Sequence, residues 1–297
     1  MSFGRSRLPW IAPAVLGLAC VVSNASAQSD RVYRTVSSSR QPLGERDFTV
    51  EARFALGHFN LTRDQSGALY RTTLLYDEAL FEPEQTYDSH NRVLTVDLTH
   101  EEGRRSRNIN LRNLRDLRQR LDIALSPSVP ARVNLEFGVV RADIDFGGMS
   151  LIRSDIKIGA SEVVVRFSRP TIAPCERLHV TMGAAEFSAE QLGNSNCAEL
   201  SFEGAAGALA LDFSGEWQHE GKTAARVKLG FGTLKLQFPS HLGVAISIKR
   251  FLASFDGSGF VKRGDTYYSR NYDSATAQLD LDINAVLGDI EVVWVPR

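Results

Sequence analysis

Apolar and polar residues alternate through much of this chain. Between positions 48 and 62 the apolar ones are Phe48, Val50, Ala52, Phe54 and Leu56, then Phe59 and Leu61. A period of two is that of a strand with one face buried. Tyr70 to Tyr76 and Arg92 to Leu98 read the same way, on either side of a turn-rich segment around Pro83 and Ser89-His90-Asn91. One stretch departs, near Glu101 to Arg120, where Leu111, Leu114, Leu117 and Leu121 recur at three and four residues and predict a short helix. From Asp122 onward the pattern is strand and turn again.

Within the later strands one phrase returns: two alternating apolar residues, a glycine, and an apolar run closing on phenylalanine. It reads Leu135-Glu136-Phe137-Gly138 to Phe146, Ile156-Lys157-Ile158-Gly159 to Phe167, and Val227-Lys228-Leu229-Gly230 to Phe238, with the phenylalanine eight residues after the glycine each time. With Gly183 and Gly204 included, the glycines are 21, 24, 21 and 26 residues apart. Such a period marks a unit that cannot bury its apolar face alone and stacks on its neighbours. The fold expected is all-β: a parallel β-solenoid of short coils, with Phe146, Phe167, Phe213 and Phe238 as an interior ladder. Three copies are irregular. Phe213 comes nine residues after Gly204, which predicts a bulge or a slightly longer corner. Gln191 and Leu192 stand where the Gly183 copy lacks its aromatic, and Leu281-Asp282-Ile283-Asn284 has asparagine for glycine, a residue that tolerates the left-handed conformation. Phe54-Ala55-Leu56-Gly57 reads as an early copy.

The same phase bears on the cysteines. Cys175 lies eight residues before Gly183, and Cys197 lies sixteen before Phe213, the equivalent position once that coil is aligned on its phenylalanine. Equivalent positions of adjacent coils are about 4.8 Å apart, inside the usual Cα separation of a disulfide. A rung-to-rung bridge between Cys175 and Cys197 is predicted, against the alternative of two buried free thiols.

The ends and the composition set the compartment. Arg5 and Arg7, an apolar run from Trp10 to Val22, and Ala25-Ser26-Ala27 make the three parts of a signal peptide over residues 1–27. Cys20 raises the alternative of a lipoprotein anchor, but Gly17 stands where such signals usually carry leucine, and the apolar run continues past the cysteine. After Ala27 no window reaches the roughly 18 apolar residues of a membrane helix. A periplasmic or secreted chain with no transmembrane span is expected, in a setting that permits disulfides. Residues 28–47, rich in Ser, Arg and Gln, are expected to form a flexible leader. An N-terminal β region containing the arginine-rich segment follows over 48–130, and the stacked coils over 131–297. The formal net charge of −1 lacks the basic footprint of a nucleic-acid binder.

Candidate chemistry is sparse. Asp143 and Asp145, and likewise Asp280 and Asp282, are two apart in strands, so each pair shares a face and has the spacing for acid/base or metal work. The solvent face of any alternating strand reads identically. The six histidines show no ligand spacing, Gly257-Ser258-Gly259 is too short for a nucleophile elbow, and Gly230-Phe231-Gly232 precedes no helix that would cradle a phosphate. No catalytic residue, metal site or cofactor is assigned. Two contact surfaces are. The first is the arginine-rich segment, with Arg112, Arg115 and Arg118 turned to anionic envelope material or simply to solvent. The second is the loop from Phe251 to Tyr268, where Phe251, Phe255, Phe260, Tyr267 and Tyr268 crowd beside Lys262 and Arg263, a composition suited to an interface. The same aromatics suit a cap over the open end of the stack.

The phrases Val129-Pro130 through Phe137-Gly138, Ala142 through Phe146-Gly147-Gly148, and Leu229-Gly230 through Phe238-Pro239 resemble the toast-rack and LiaF-like C-terminal domains of bacterial cell-envelope proteins. Phe251 to Phe260, with Lys262-Arg263-Gly264-Asp265, resembles the closing loop of that family. The resemblance covers residues 48–297 and is strongest from 129 on. It implies a toast-rack-like β-solenoid over 131–297, related in shape to right-handed β-helices. It also implies a non-catalytic binding or scaffolding role at the envelope, linked to envelope stress or the response to cell-wall antibiotics. It brings no catalytic residues. The partner expected is an envelope protein or an anionic envelope component. Fold analogy alone also admits a β-helix enzyme acting on envelope polysaccharide.

Overall fold

The computed structural model describes residues 32–98, 118–217 and 221–296. Of it 69 % is strand and 3 % helix. In chain order the strands are β1 (Tyr33–Arg40), β2 (Phe48–Arg63), β3 (Tyr70–Asp77), β4 (Glu84–Asp88), β5 (Val93–Leu98), β6 (Arg120–Leu125), β7 (Ala131–Asp145) and β8 (Leu151–Ile158). Then come β9 (Glu162–Arg166), β10 (Cys175–Glu190), β11 (Cys197–Asp212), β12 (Gly221–Pro239), β13 (Gly243–Phe255), β14 (Phe260–Arg263), β15 (Thr266–Ser269) and β16 (Ala277–Val295).

The alternating strands become rungs of one sheet. β2, β7, β8 with β9, β10, β11, β12, β16 and β13 lie side by side and parallel. Along the rungs the large buried apolar residues fall mainly at every second position, and the parity of those positions changes once. In β12 the buried positions Ala225, Val227 and Leu229 give way to Leu234, Leu236 and Phe238. In β10 the switch falls between Met182 and Ala185, and in β16 between Ala285 and Ile290. Because side chains alternate strictly in a strand, a parity change requires a break in the backbone pattern. The breaks align from rung to rung and form a corner.

Two rows build that corner. Gly138, Gly159, Gly183, Ala205 and Gly230 lie one above another, and a Cβ on Gly138, Gly159 or Gly230 would fall 2.4, 2.7 or 2.5 Å from a carbonyl oxygen of the preceding rung. The second row contains Gly207, Gly232 and Gly288, paired in register. Gly232 and Gly288 have φ of 135° and 138°, where side chains are strained, and a Cβ on either would sit 1.7 Å from the carbonyl oxygen of the glycine below.

The register corrects three expectations. No bulge accounts for Phe213: Gly204 pairs with Met182 and Leu229, while Ala205 occupies the corner, eight residues before the phenylalanine. Asn284 pairs with Lys228, and Val286 stands beside Gly230, so the asparagine does not replace a corner glycine. Gly57 pairs with Val140, and Ala55 is the residue against Gly138. Burial of the aromatic sets the phase of each rung, and the glycine follows wherever backbones approach closely.

Rung order also departs from chain order. β16 inserts between β12 and β13, leaving β13 on the outside, where β15 pairs antiparallel with Ala245–Ser247 and β14 pairs with β15. At the other end β6 and β5 both pair in parallel with β2, and they carry the antiparallel strands β3, β1 and β4. The flexible leader expected over 28–47 is therefore corrected at Tyr33–Arg40, which pairs residue for residue with β3. An edge strand of this kind is held by backbone hydrogen bonds and needs no apolar stripe. β2 and β7 pair across the boundary expected at 130, and one core runs through both regions.

Ring centroids are 5.8 Å apart for Phe146–Phe167 and 5.3 Å for Phe213–Phe238, and the ladder continues to Trp294 at 5.5 Å from Phe238. Buried Leu192 fills the gap near Gln191, in a turn whose Gly193 donates to Ser214 and whose Asn194 side chain donates to Phe167. Cys175 and Cys197 are opposite one another on β10 and β11, both buried and disulfide-bonded as predicted. The expected signal peptide over 1–27, the helix through Leu111 and Leu114, and both Arg112 and Arg115 lie outside the described residues.

Candidate interaction surface at the corner

Outward positions at the corner change character along the stack. From β7 to β11 they are chiefly Gly138, Gly159, Gly183, Ala184, Ala205 and Ala206, with Val139 the one larger apolar residue. On β12, β16 and β13 the same rows carry Phe231, Val286, Leu287, Phe251 and Leu252. Phe231, Leu287 and Leu252 pair in register, and Val286 and Phe251 fill the row that Gly230 begins. Their exposures are 58 % for Phe231, 47 % for Val286, 37 % for Leu287, 79 % for Phe251 and 64 % for Leu252. The core beneath is already filled by Leu229 and Ala285. Contiguous large apolar side chains left in water mark a contact surface.

Cations frame one flank. Lys228, Asn284 and Lys249 form a row running beside the ridge. Lys228 Nζ is 2.9 Å from Glu203 Oε1, and that hydrogen bond and charge hold the Glu203 carboxyl below its usual range against the opposing effect of burial. Lys249 makes no hydrogen bond or ion pair among the described residues, and Arg250 donates only to the Ala253 carbonyl, at 3.1 Å. On the opposite flank the acids are engaged: Asp289 accepts from Ser254 Oγ at 2.6 Å, and Glu291 lies 3.8 Å from Lys235. A shallow hollow of about 360 Å³, lined in part by Met182, Gly204, Leu229, Gly230 and Val286, adjoins the ridge.

The aromatic loop expected to make contact packs largely on itself. Phe255 meets Tyr267 at 5.1 Å and Phe260 at 6.4 Å, and Phe260 meets Trp294 at 5.3 Å, so the loop continues the interior ladder. Tyr268 packs edge-on against Tyr272 at 4.9 Å. Lys262 and Arg263 are exposed, their charges 5.3 Å and 5.1 Å from the rings of Tyr267 and Tyr268, and Arg263 also pairs with Asp273 at 2.8 Å. Arg118 is exposed next to β6, at the opposite end of the strand order. Arg118 and the aromatic loop are not brought together. The ridge had a sequence signal that went unused: Val286-Leu287 and Phe251-Leu252 are adjacent apolar pairs in alternating strands, where one member of each pair must face outward.

Asp143, Asp145 and Asp280 of the acid pairs are engaged by neighbours. A groove of about 620 Å³ is lined by His58, Arg141, Asp143, Asp145, Glu162 and Arg166 among others. In it Arg166 donates to both oxygens of Asp143, at 2.9 and 3.1 Å, and Arg141 pairs with Glu162 at 2.6 Å. Asp280 accepts from the Tyr272 hydroxyl at 2.6 Å; burial, then that bond, push the hydroxyl pKa up. Among the described residues no group of three His, Cys, Asp or Glu is placed to hold a metal ion, and no helix is long and apolar enough to cross a membrane.

Residues 25–172 match the family described as the N-terminal domain of toast_rack, DUF2154. Through this stretch the chain belongs to the toast-rack family. The toast-rack match contains the phrases from Val129 to Gly148, while those at Leu229 and Phe251 lie beyond it. Among solved structures, a candidate cell-adhesion protein from Clostridium sporogenes is 17 % identical over 89 % of this chain and 100 % of its own, with a TM-score of 0.46. A candidate adhesin from Bacteroides fragilis is 11 % identical over 88 % and 97 %, TM-score 0.38. A candidate lipid-binding protein from Parabacteroides distasonis is 10 % identical over 89 % and 96 %, TM-score 0.36. At such scores these likenesses carry no argument about the function of the toast-rack chain. No curated protein matches it.

Proposed function

We propose that this protein is a non-catalytic binding or scaffolding module of the cell envelope, exported by its residues 1–27 and built as a right-handed parallel β-solenoid. The observation that carries this is the ridge of Phe231, Val286, Leu287, Phe251 and Leu252, contiguous apolar surface that the packing of the core does not require. The buried Cys175–Cys197 disulfide fits an extracytoplasmic setting. Of the carboxylates best spaced for chemistry, Asp143 is tied to Arg166, Asp145 to backbone N–H groups and Asp280 to the Tyr272 hydroxyl, which supports a structural role for them.

The test is binding of the mature chain to solubilised envelope fractions, compared with a Phe231→Ser/Phe251→Ser/Leu252→Ser variant. Retention lost in the variant is the expected result, and equal retention overturns the assignment of the ridge. Turnover of peptidoglycan or lipopolysaccharide by the purified chain in the same preparations establishes the polysaccharide-enzyme alternative instead.

A further inference from the structure

Resting on the binding-module reading, we infer that the ridge docks the protein onto an anionic lipid surface. Three neighbouring rungs spaced about 4.8 Å apart place Phe231, Leu287 and Leu252 in a strip roughly 10 Å across, with Val286 and Phe251 beside it. The strip forms where each strand changes parity, and the one hollow described beside it is shallow and reaches only Val286 of the five ridge residues. Five residues also fall far short of the roughly 20 to 30 per side that a stable protein interface uses. A bilayer sets no such requirement. Its interface accepts aromatic and aliphatic side chains a few ångströms deep, and its anionic headgroups attract neighbouring Lys and Arg.

The charge distribution matches that surface. Among the described residues Lys249 has no carboxylate partner and Arg250 has only a backbone one, immediately beside Phe251 and Leu252. Lys262 adds a third exposed cation in the adjoining hairpin, over the ring of Tyr267. Farther back, Lys228 is neutralised by Glu203. The acids on the opposite flank, Asp289 and Glu291, are bound to Ser254 and Lys235. Lys249 and Arg250 thus place positive charge on the outer rung beside the most exposed apolar residues, while Asp256 and Asp265 lie beyond them at the loop.

Co-sedimentation of the mature chain with phosphatidylcholine vesicles, with and without phosphatidylglycerol, tests this. Binding is expected to need phosphatidylglycerol and to weaken with salt. It should fall at least about tenfold in Phe231→Ser/Phe251→Ser/Leu252→Ser, and become salt-insensitive and weaker in Lys249→Glu/Arg250→Glu. Four results overturn the lipid assignment. Vesicle binding unchanged in both variants places the lipid contact elsewhere. Absence of vesicle binding with ridge-dependent retention of an envelope protein gives the ridge a protein partner and leaves the binding-module reading intact. A wild-type dimer on light scattering that the triple variant lacks gives the ridge to a second copy. Loss of both vesicle and envelope binding as distinguishing readouts, with wild type and variants alike inert, removes the inference and the reading on which it rests.

Discussion

The corner of β7 to β11 and the corner of β12, β16 and β13 occupy equivalent positions in the stack and solve different problems. In the first, glycine and alanine let successive backbones approach until a Cβ would lie within 3 Å of a carbonyl oxygen, as at Gly138 and Gly159. In the second, the row begun by Gly230 continues as Val286 and Phe251, and its neighbour as Phe231, Leu287 and Leu252. Bulk is therefore compatible with the corner. Where bulk appears it points into solvent and is apolar, so its chemistry is set by something other than folding.

The largest effect is expected where the corner leaves no room. Gly232→Ala puts a Cβ at a φ of 135° and 1.7 Å from the Gly207 carbonyl oxygen. Relief requires moving the rung, because the obstacle is backbone. A loss of more than about 4 kcal/mol, or failure to fold, is expected in denaturant titration. A near-normal midpoint would mean that the glycine row is not what sets the corner.

The disulfide comes next. Cys175 and Cys197 close a loop of 22 residues between rungs on the small-residue side. Cys175→Ser/Cys197→Ser should cost about 3 kcal/mol, chiefly by freeing the unfolded chain, and reductant should lower the wild type to the same midpoint. If reductant leaves the wild-type midpoint unchanged, the bridge is not part of what holds these rungs.

How much of this was legible in the sequence differs by feature. The alternation and the glycine-to-phenylalanine phrase were local, so the rungs, most of the aromatic ladder and the pairing of Cys175 with Cys197 could be read directly. The parity switch was also written in the sequence, in the spacing of Leu229 and Leu234. The insertion of β16 between β12 and β13 was not, because rungs of one phase are interchangeable until long-range packing selects a neighbour. β1 was hidden because backbone pairing leaves no apolar pattern in Tyr33–Arg40. Of the ridge only Phe251 was legible, because exposed Phe231, Val286, Leu287 and Leu252 are spelled like core residues, whereas Phe255, Phe260 and Tyr267, which suited either an interface or a cap, pack against the core.

A smaller effect separates two lysines of one row. Lys228 is paired with Glu203, and Lys249 has no partner among the described residues. Glu203 titrates below its usual value in the folded protein, so its contribution is present above the ordinary glutamate pKa, about 4.3, and is lost as pH falls through the lowered folded value. Both partners are substantially exposed, so Lys228→Ala should cost only about 0.5 kcal/mol at neutral pH, less in high salt. The difference from wild type should vanish in acid. Lys249→Ala should match wild type throughout; a comparable pH-dependent loss there would show that Lys249 has a folding partner after all.

The smallest effect is the one on which the comparison turns. If the outer corner residues are there for contact, then Phe231→Ser/Phe251→Ser/Leu252→Ser should leave the denaturation midpoint within about 0.5 kcal/mol of wild type, since surface substitutions away from packing features rarely do more. Core burial predicts otherwise: a phenylalanine held inside, such as Phe238, costs about 3 to 5 kcal/mol when truncated to alanine. A loss of that size in the triple variant would make the ridge a packing element. An unchanged midpoint leaves five apolar side chains whose exposure the fold neither needs nor hides, and any loss of binding in that variant can then be read as loss of contact.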